Sequence, residues 1–388
     1  MKRIFPIFAL VILFFFCGSI LLRFTVEQVL DIEKTGDGKT AFNDAVKEKL
    51  LFKTERKIFK SKDYSKGRFR GIKTKINRYT TEYLIFNRAI AQAGIFSDFL
   101  LGSKILPNEV IDLGDGYLAQ QPKKPKESVD AFVQKVVYFK HILDSIGIPL
   151  VFAMYPRVLC DKDNFINQAK LELMEKISKI GVPVIDLTKE CRHSLFYKTD
   201  HHWRAKTSIW AGQAISKKLN ELYSFDLNVE LLDTNNFTEK LATKWLGSIG
   251  EKVIPLYGKE NFYTYSPKYA TNISWLLFHN NKLFQSSGSF DSLYHFVSDT
   301  IVNSEAYGTA YPYKSLSKNN NLLDGKNILL IGDSFSQPLS KFLALVFKEV
   351  NFIYNRSSFL DDYLANKPDV VVLGFYRVVF ADPENLIF

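Results

Sequence analysis

The stretch ILLIGDSFSQPL, residues 328–339, places four apolar residues directly before Gly332, Asp333 and Ser334. A short apolar run that ends at a glycine is typical of a buried strand. Pro338 suits the first turn of a helix, where a missing backbone N–H costs nothing. The stretch therefore predicts a strand, a tight turn and a helix, which is the repeating unit of a parallel sheet covered by helices.

The same alternation continues in both directions along the chain. Residues 128–146 repeat apolar side chains at three- and four-residue steps, with Ser128 suited to cap this helix and Gly147 suited to end it. Further strands are predicted at 148–155, 182–187, 350–354 and 369–375, and further helices near 166–180, through Ala211, Ile215, Leu219 and Leu222, and from about Ser358. Five short apolar strands separated by helices predict a doubly wound, mostly parallel α/β sheet.

Residues 224–325 interrupt this alternation. They are rich in Asn, Tyr, Ser and Thr and show no clear period. We interpret them as an insertion that is either a lid or substrate groove beside the active face or a structural embellishment. Ahead of the sheet, Gly114 and Gly116 fit a tight hairpin. The expected organisation is an anchor at 1–24, a basic stalk and hairpin region at 25–125, and the α/β domain at 126–388.

The N-terminus carries Lys2 and Arg3 ahead of an apolar run at residues 4–22. This run is long enough to cross a bilayer and exceeds the apolar core of a cleaved signal peptide. It predicts a single-pass signal anchor in the cell membrane, with the rest of the chain extracellular or periplasmic.

Charge and cysteine content add two open questions. Residues 47–78 hold 13 Lys or Arg and three acidic residues, which fits either a solvated helix face or a surface that rests on anionic headgroups or an anionic polymer. The net charge of +10 favours an acidic partner, but no nucleic-acid-binding module is recognisable. Cys160 and Cys191 each follow a predicted strand, so they either pair at one sheet edge or stay as two buried thiols.

Ser334 follows a predicted strand directly, at the sheet edge where open α/β proteins gather their functional groups. A hydroxyl at this turn lies beside backbone N–H groups that can stabilise an oxyanion, and Gly332 allows a tight turn and an open approach. The alternative is structural, because Ser334 or Asp333 would also serve as a helix cap.

A second motif, TDHHW at residues 199–203, supplies the groups that a nucleophilic serine needs. If the segment is extended, Asp200 and His202 face one side and His201 the other. Asp200 can then orient His202, and His202 can act as the base for Ser334. The alternatives are two loop histidines with Asp200 as a helix cap, or a metal site, although the spacing matches no metal motif.

With both motifs in view, the chain resembles the DHHW protein family and, more broadly, the SGNH-type acyltransferase domains of bacterial alginate O-acetylation. The resemblance covers roughly residues 80–388 and rests on TDHHW and GDSFS. It extends more loosely to VIDLGDGYLA at 110–119, AMYPR at 153–157 and KPDVVVLGFYRVVF at 367–380.

This resemblance implies that Ser334 is the nucleophile and that Asp200 and His202 complete the triad, in a motif order that is permuted relative to ordinary SGNH esterases. It also implies a multispanning membrane-bound O-acyltransferase as partner. The usual Gly-x-Asn-Asp segment for the oxyanion is missing from the sequence. Asn355 and Arg356, with Gly332 and His201, are candidate oxyanion or substrate-binding residues.

The sequence thus predicts an O-acyltransferase, of acetyl type, that acts on a cell-surface glycan or polymer through an acyl-enzyme. This chemistry requires no cofactor and no metal ion. Two alternatives remain at this point: an esterase that uses the same residues with water as acceptor, and a non-catalytic glycan-binding or scaffold subunit of an envelope complex.

Overall fold

The computed structural model describes residues 105–106, 109–121, 129–160, 165–253, 257–279, 282–291, 314–354, 364 and 367–376. All of them belong to a compact unit at residues 103–388. The expected anchor at 1–24 and the basic run at 47–78 lie outside the described residues, as does nearly all of the helix expected from Ser358. Within the described part of the chain, no helix has the length and apolar character that a bilayer span requires.

The regular elements alternate as the sequence predicts through most of the chain. Among the described residues, the α-helices are α1 (Val129–Ser145), α2 (Phe165–Lys179), α3 (Ala205–Tyr223) and α4 (Ser336–Leu343). The strands are β1 (Ile105–Leu106), β2 (Val110–Asp112), β3 (Leu118–Gln120), β4 (Leu150–Met154), β5 (Val184–Asp186), β6 (Phe237–Trp245), β7 (Glu260–Pro267), β8 (Ile273–His279), β9 (Lys282–Gly288), β10 (Lys314–Asn319), β11 (Asn327–Gly332), β12 (Glu349–Tyr354) and β13 (Val370–Phe375).

Eight strands form the central sheet in the order β5-β4-β13-β11-β12-β10-β8-β9. The first five are parallel to one another, and β10, β8 and β9 continue the sheet in antiparallel fashion. The predicted α/β sheet is therefore confirmed for its parallel half. The antiparallel half was not predicted.

Helices cover the parallel half of the sheet on both faces because its strands are apolar on both sides. Along β11, Leu329 and Ile331 belong to the core cluster that includes α1 and α2. Ile328 and Leu330, which alternate with them, belong to the cluster that includes α3 and α4. Helix α1 ends at Ser145, and Gly147 lies two residues further on. Its φ of 72° lies in the left-handed region that favours glycine.

The expected insertion at 224–325 supplies two different structures. Strands β8, β9 and β10 extend the central sheet, whereas β6 and β7 pair only with each other. Eight of the nine residues of β6 are exposed or half-buried. The ribbon nevertheless buries Phe237, Phe262 and Tyr265, so part of it packs against the core.

Candidate functional site

Ser334 lies in the turn between β11 and α4, at the carboxyl end of a central strand. The side chain of Asp333 shapes this turn. Its Oδ1 accepts a hydrogen bond from the Phe335 N–H at 2.9 Å, and its Oδ2 accepts one from the Tyr376 N–H at 2.7 Å. Asp333 thus ties the serine turn to the end of the neighbouring strand β13, while Ser334 remains available for another role.

Gly332 is required for close packing and not for an unusual backbone angle. It pairs with Gly374 on the adjacent strand, and a Cβ at Gly332 would overlap the Ser336 hydroxyl and the Gly374 carbonyl. The Ser336 hydroxyl donates to that carbonyl at 3.0 Å and contacts the Tyr155 hydroxyl at 2.9 Å. Gly332 was expected to form a tight turn and to keep the approach to Ser334 open. That expectation is wrong, because Gly332 is the last residue of β11 and the space beside it is filled by Ser336 and Gly374.

The TDHHW motif lies in a bent loop just before α3. Phe196 and Trp203 form an isolated antiparallel bridge that closes this loop. Glu260, at the start of β7, accepts hydrogen bonds from the Lys198 N–H at 2.9 Å and from the Thr199 N–H and hydroxyl, both at 2.8 Å. Glu260 therefore fixes the loop that carries TDHHW to the ribbon of β6 and β7. No sequence motif predicts this contact.

Asp200 is 1% exposed and accepts four hydrogen bonds. Its Oδ1 receives the backbone N–H of His202 at 2.9 Å and lies 2.6 Å from His202 Nδ1. Its Oδ2 receives the Ser248 N–H at 2.9 Å and the Ser248 hydroxyl at 2.6 Å. Burial raises the pKa of Asp200, but the charge of His202 and these hydrogen bonds outweigh it, so the pKa lies far below its usual range. These interactions favour the ionised form of Asp200.

The second ring nitrogen of His202 faces the Ser334 hydroxyl. His202 Nε2 lies 2.9 Å from Ser334 Oγ, within the reach that proton transfer requires. Because Asp200 holds Nδ1, Nε2 is left as the atom that can accept the serine proton. The structure thus brings together Asp200, His202 and Ser334, all of them buried.

His201 does not point away from the site, because the loop is bent and not extended. Its ring centroid lies 3.9 Å from that of His202, and its Nδ1 lies 3.6 Å from Asp200 Oδ1. His201 is 34% exposed and faces the open side of the site. The expectation that the two histidines face opposite sides is wrong.

A cleft of about 140 Å³ opens beside the residues Asp200, His202 and Ser334. It is lined by Gln120, Arg157, Val158, His201, Ser248, Ile249, Lys252 and Tyr376. Ser248 therefore borders the cleft and holds Asp200 at the same time. Sequence reasoning missed Ser248, Lys252 and Glu260, since all three come from the insertion and belong to no recognisable motif.

Two further predictions concern the edges of the site. Cys160 and Cys191 form a disulfide with their Cα atoms 5.6 Å apart, which settles the question left open by the sequence. This bridge joins the segments that follow β4 and β5, close to Arg157. Asn355 and Arg356 lie outside the described residues, so their role in an oxyanion site remains a prediction.

Asp200, His201 and His202 also offer ligand atoms within 4.8 Å of one another, a spacing that a metal ion could use. In the present arrangement, however, both ring nitrogens of His202 already face hydrogen-bond partners, Asp200 and Ser334. A metal bound through His202 would have to displace one of these contacts.

Comparison with known proteins yields likeness in fold alone. No protein-family model and no curated protein matches the sequence. Among solved structures, PatB1 from Bacillus cereus has a TM-score of 0.54 at 17% identity, covering 72% of this chain and 99% of PatB1. The O-acetyltransferase domain of Pseudomonas putida AlgJ has a TM-score of 0.44 at 14% identity, covering 70% of this chain and 92% of that domain.

A DHHW family protein from Eubacterium siraeum has a TM-score of 0.51 at 13% identity, and the match covers 71% of this chain and 93% of that protein. The two motifs that carry the resemblance in sequence, TDHHW and GDSFS, are the segments that meet at the site in this structure. The chain is therefore similar in fold to PatB1 and to a DHHW family protein.

Proposed function

We propose that the protein is a serine-dependent O-acyltransferase, of acetyl type, that acts on a hydroxyl of a cell-surface glycan or polymer. The observation that carries the proposal is the continuous contact from Asp200 through His202 to Ser334, with distances of 2.6 and 2.9 Å. PatB1, which is similar in fold, has also been solved with a sulfonyl adduct. An adduct of this kind is what a sulfonylating reagent leaves on a reactive nucleophile.

The reaction takes place in two balanced halves. Ser334 Oγ attacks the carbonyl carbon of the acyl donor while its proton passes to His202 Nε2. The tetrahedral intermediate collapses as the donor's C–O bond breaks and the leaving oxygen takes that proton. In the second half, an acceptor hydroxyl gives its proton to His202 Nε2 while its oxygen attacks the acyl carbon. The ester bond between that carbon and Ser334 Oγ then breaks, and Ser334 Oγ takes the proton back from His202.

Asp200 holds the imidazole in the required tautomer and stabilises it when it is protonated. The N–H groups of Asp333, Phe335 and Ser336 already donate to other acceptors, so the Ser334 N–H is our candidate donor to the oxyanion from this turn. Both halves use the same residues, so water could also resolve the acyl-enzyme. The acceptor bound beside His202 decides between transfer and hydrolysis.

The proposed location is extracytoplasmic, with residues 1–24 as a membrane anchor. The Cys160–Cys191 disulfide supports this location because such bonds persist in oxidising compartments. A multispanning membrane-bound O-acyltransferase as acyl supplier is part of the proposal and follows from the family resemblance. A neighbouring gene for such a protein would support that part.

The direct test is mass spectrometry of the protein after incubation with 4-nitrophenyl acetate, with and without a glycan acceptor. We expect an acetyl group on Ser334 and, with a suitable acceptor, a shift of product from free acetate to acetylated glycan. Free acetate as the sole product with every acceptor would favour an esterase. A Ser334 that never carries the acyl group, together with unchanged glycan acetylation in Ser334→Ala cells, would favour the scaffold function instead.

A further inference from the structure

Every polar group of Thr199, the residue before Asp200, contacts the insertion. Its N–H and its hydroxyl both donate to Glu260 Oε1 at 2.8 Å, and its hydroxyl accepts the Gly247 N–H at 2.9 Å. Its carbonyl accepts the N–H groups of Ile249 at 3.2 Å and of Gly250 at 2.9 Å. Thr199 is 3% exposed, so these contacts are shielded from water.

Glu260 supplies the acceptors on one side of Thr199. It is half-buried at the first position of β7. Its second oxygen, Oε2, accepts the Lys198 N–H at 2.9 Å, so one carboxylate takes three donors from two consecutive residues. Hydrogen bonds to an ionised acceptor are stronger than those to a neutral one. We propose that Glu260 is a positioning residue for the acyl transfer, because it fixes Thr199 and thereby directs the Asp200 carboxylate toward His202.

This inference rests on the proposed function and adds to it a residue from outside the two motifs. The packing on the other side of Thr199 supports it. A Cβ at Gly247 would lie 2.4 Å from the Thr199 carbonyl oxygen and 2.5 Å from Asp200 Cβ, so the two backbones are already in close contact. The next residue, Ser248, donates its N–H to Asp200 Oδ2 at 2.9 Å. Thr199 thus packs between Glu260 and the Gly247 backbone, and neither side leaves room for it to shift.

The position of Asp200 matters because His202 depends on it twice. Asp200 Oδ1 lies 2.6 Å from His202 Nδ1 and accepts the His202 N–H at 2.9 Å. A shift of the peptide between residues 199 and 200 displaces both contacts and turns the imidazole away from Ser334 Oγ, which lies 2.9 Å from Nε2. Misplacement by about 1 Å can cost about 100-fold in rate. The described hydrogen bonds of Glu260 go to residues 198 and 199, so it acts on the reaction through geometry.

Two variants of the full-length protein in detergent remove these contacts with little change in shape. Glu260→Gln replaces one acceptor oxygen by an NH₂ group, and Thr199→Val replaces the hydroxyl by a methyl group. In both, we expect the burst rate constant at saturating 4-nitrophenyl acetate to fall about 10- to 100-fold, while the half-saturating ester concentration changes by less than about twofold. Thr199→Ser keeps the hydroxyl and should stay within about threefold of wild type.

Glu251→Gln and Thr238→Val are the matched controls. Both residues are exposed and belong to the same insertion, so both variants should behave as wild type. Rates are compared well below the melting temperature of each variant, where the protein is folded. A purely structural role for Glu260 would lower the melting temperature and leave the burst rate of the folded protein unchanged, and that result would overturn the inference.

The proton between His202 Nδ1 and Asp200 gives a second readout that needs no substrate. A charge-assisted hydrogen bond of 2.6 Å places this proton at low field in the ¹H NMR spectrum, where its loss in His202→Ala identifies it. We expect Glu260→Gln and Thr199→Val to shift or broaden the resonance, and the two controls to retain it. A slow burst with an unmoved resonance would overturn the inference, because the effect would then bypass Asp200.

The two readouts also separate this inference from the proposed function. Normal burst rates in both variants, with Ser334 acylated, would remove the positioning role of Glu260 and leave the proposed function standing. A wild-type Ser334 that is never acylated, together with a resonance that moves in both variants, would remove the proposed function and leave Glu260 as the residue that positions Asp200.

Discussion

His202 Nε2 lies 2.9 Å from Ser334 Oγ although 132 residues separate the two in sequence. The two residues lie in different loops, so the pairing exists only in the folded chain. If they act as one unit, His202→Ala and Ser334→Ala should each slow acyl-enzyme formation by about 10³-fold or more. The measurement is the burst of 4-nitrophenol from 4-nitrophenyl acetate.

If His202 and Ser334 act only together, removing either one already removes their joint contribution to the rate. The double variant should therefore be about as slow as either single variant. A double variant that is slower by the product of the two single effects would mean that His202 and Ser334 act independently.

His201 should be less important than His202, for a reason different from the one that sequence analysis offered. Its ring borders the cleft, whereas His202 carries the contact to the Ser334 hydroxyl. We expect His201→Ala to reduce burst rates by no more than about tenfold, far less than His202→Ala. An equal, complete loss in both folded variants would show that the two adjacent rings work together.

Ser248 should contribute by positioning Asp200. Removing its hydroxyl in Ser248→Ala takes away one charge-assisted hydrogen bond of 2.6 Å and leaves the backbone donor in place. Such a bond contributes roughly 1.5–3 kcal/mol, so we expect kcat to fall by about 10- to 100-fold with a smaller change in KM.

The split between kcat and KM separates positioning by Ser248 from a general loss of structure, because a misplaced Asp200 slows the chemical step and leaves acyl-donor binding intact. Ser287→Ala, on the exposed part of edge strand β9, is the matched control and should behave as wild type. An unchanged kcat together with a lowered melting temperature would mean that Ser248 has only a structural role.

The glycine pair Gly332 and Gly374 should be intolerant of any side chain. A Cβ at Gly374 would overlap the Tyr155 hydroxyl, and one at Gly332 would overlap the Ser336 hydroxyl. Overpacking of a dense interior costs about 1–3 kcal/mol or more, so Gly332→Ala and Gly374→Ala should lower the free energy of unfolding by at least that amount. Gly258→Ala, where a Cβ meets nothing within 4 Å, is the control in urea melts.

Lys170 should make stability depend on pH. It is 2% exposed, donates to the Tyr155 carbonyl at 3.0 Å, and has its pKa lowered to about 7, first by burial and then by Arg157. In the unfolded chain the pKa of this lysine is about 10.4. Between about pH 7 and 10, Lys170 is therefore protonated in the unfolded chain and mostly neutral in the folded protein. The free energy of unfolding should therefore rise with pH across this window.

Lys170→Met should flatten that rise, so the variant gains most relative to wild type near about pH 6 and least near about pH 10. Urea unfolding at several pH values measures the slope, with the exposed Lys217→Met as control. A slope that is the same in wild type and Lys170→Met would show that this lysine is not neutral in the folded protein.

The predictable part of the molecule is the part where local pattern and burial coincide. The alternation around Val129–Ser145 and the apolar strands Leu150–Met154 and Val370–Phe375 could be found because parallel strands are buried on both faces and therefore stay apolar. The antiparallel strands β8, β9 and β10 were not predicted. Strands β9 and β10 mix polar and apolar residues and so carry a weak period, and the apolar β8 lies within a polar segment.

The site, like the fold, has one part that local sequence predicts and another that depends on distant contacts. The candidate serine, histidine and aspartate set could be identified from residue types, because nucleophile, base and orienting carboxylate must be of those chemical types. Three features needed the folded chain: the bend of the loop that brings His201 to the cleft, the pairing of Cys160 with Cys191, and the hydrogen bonds from Ser248 to Asp200. The longest of these contacts joins residues 48 positions apart that share no local pattern, so it forms only when the chain is folded.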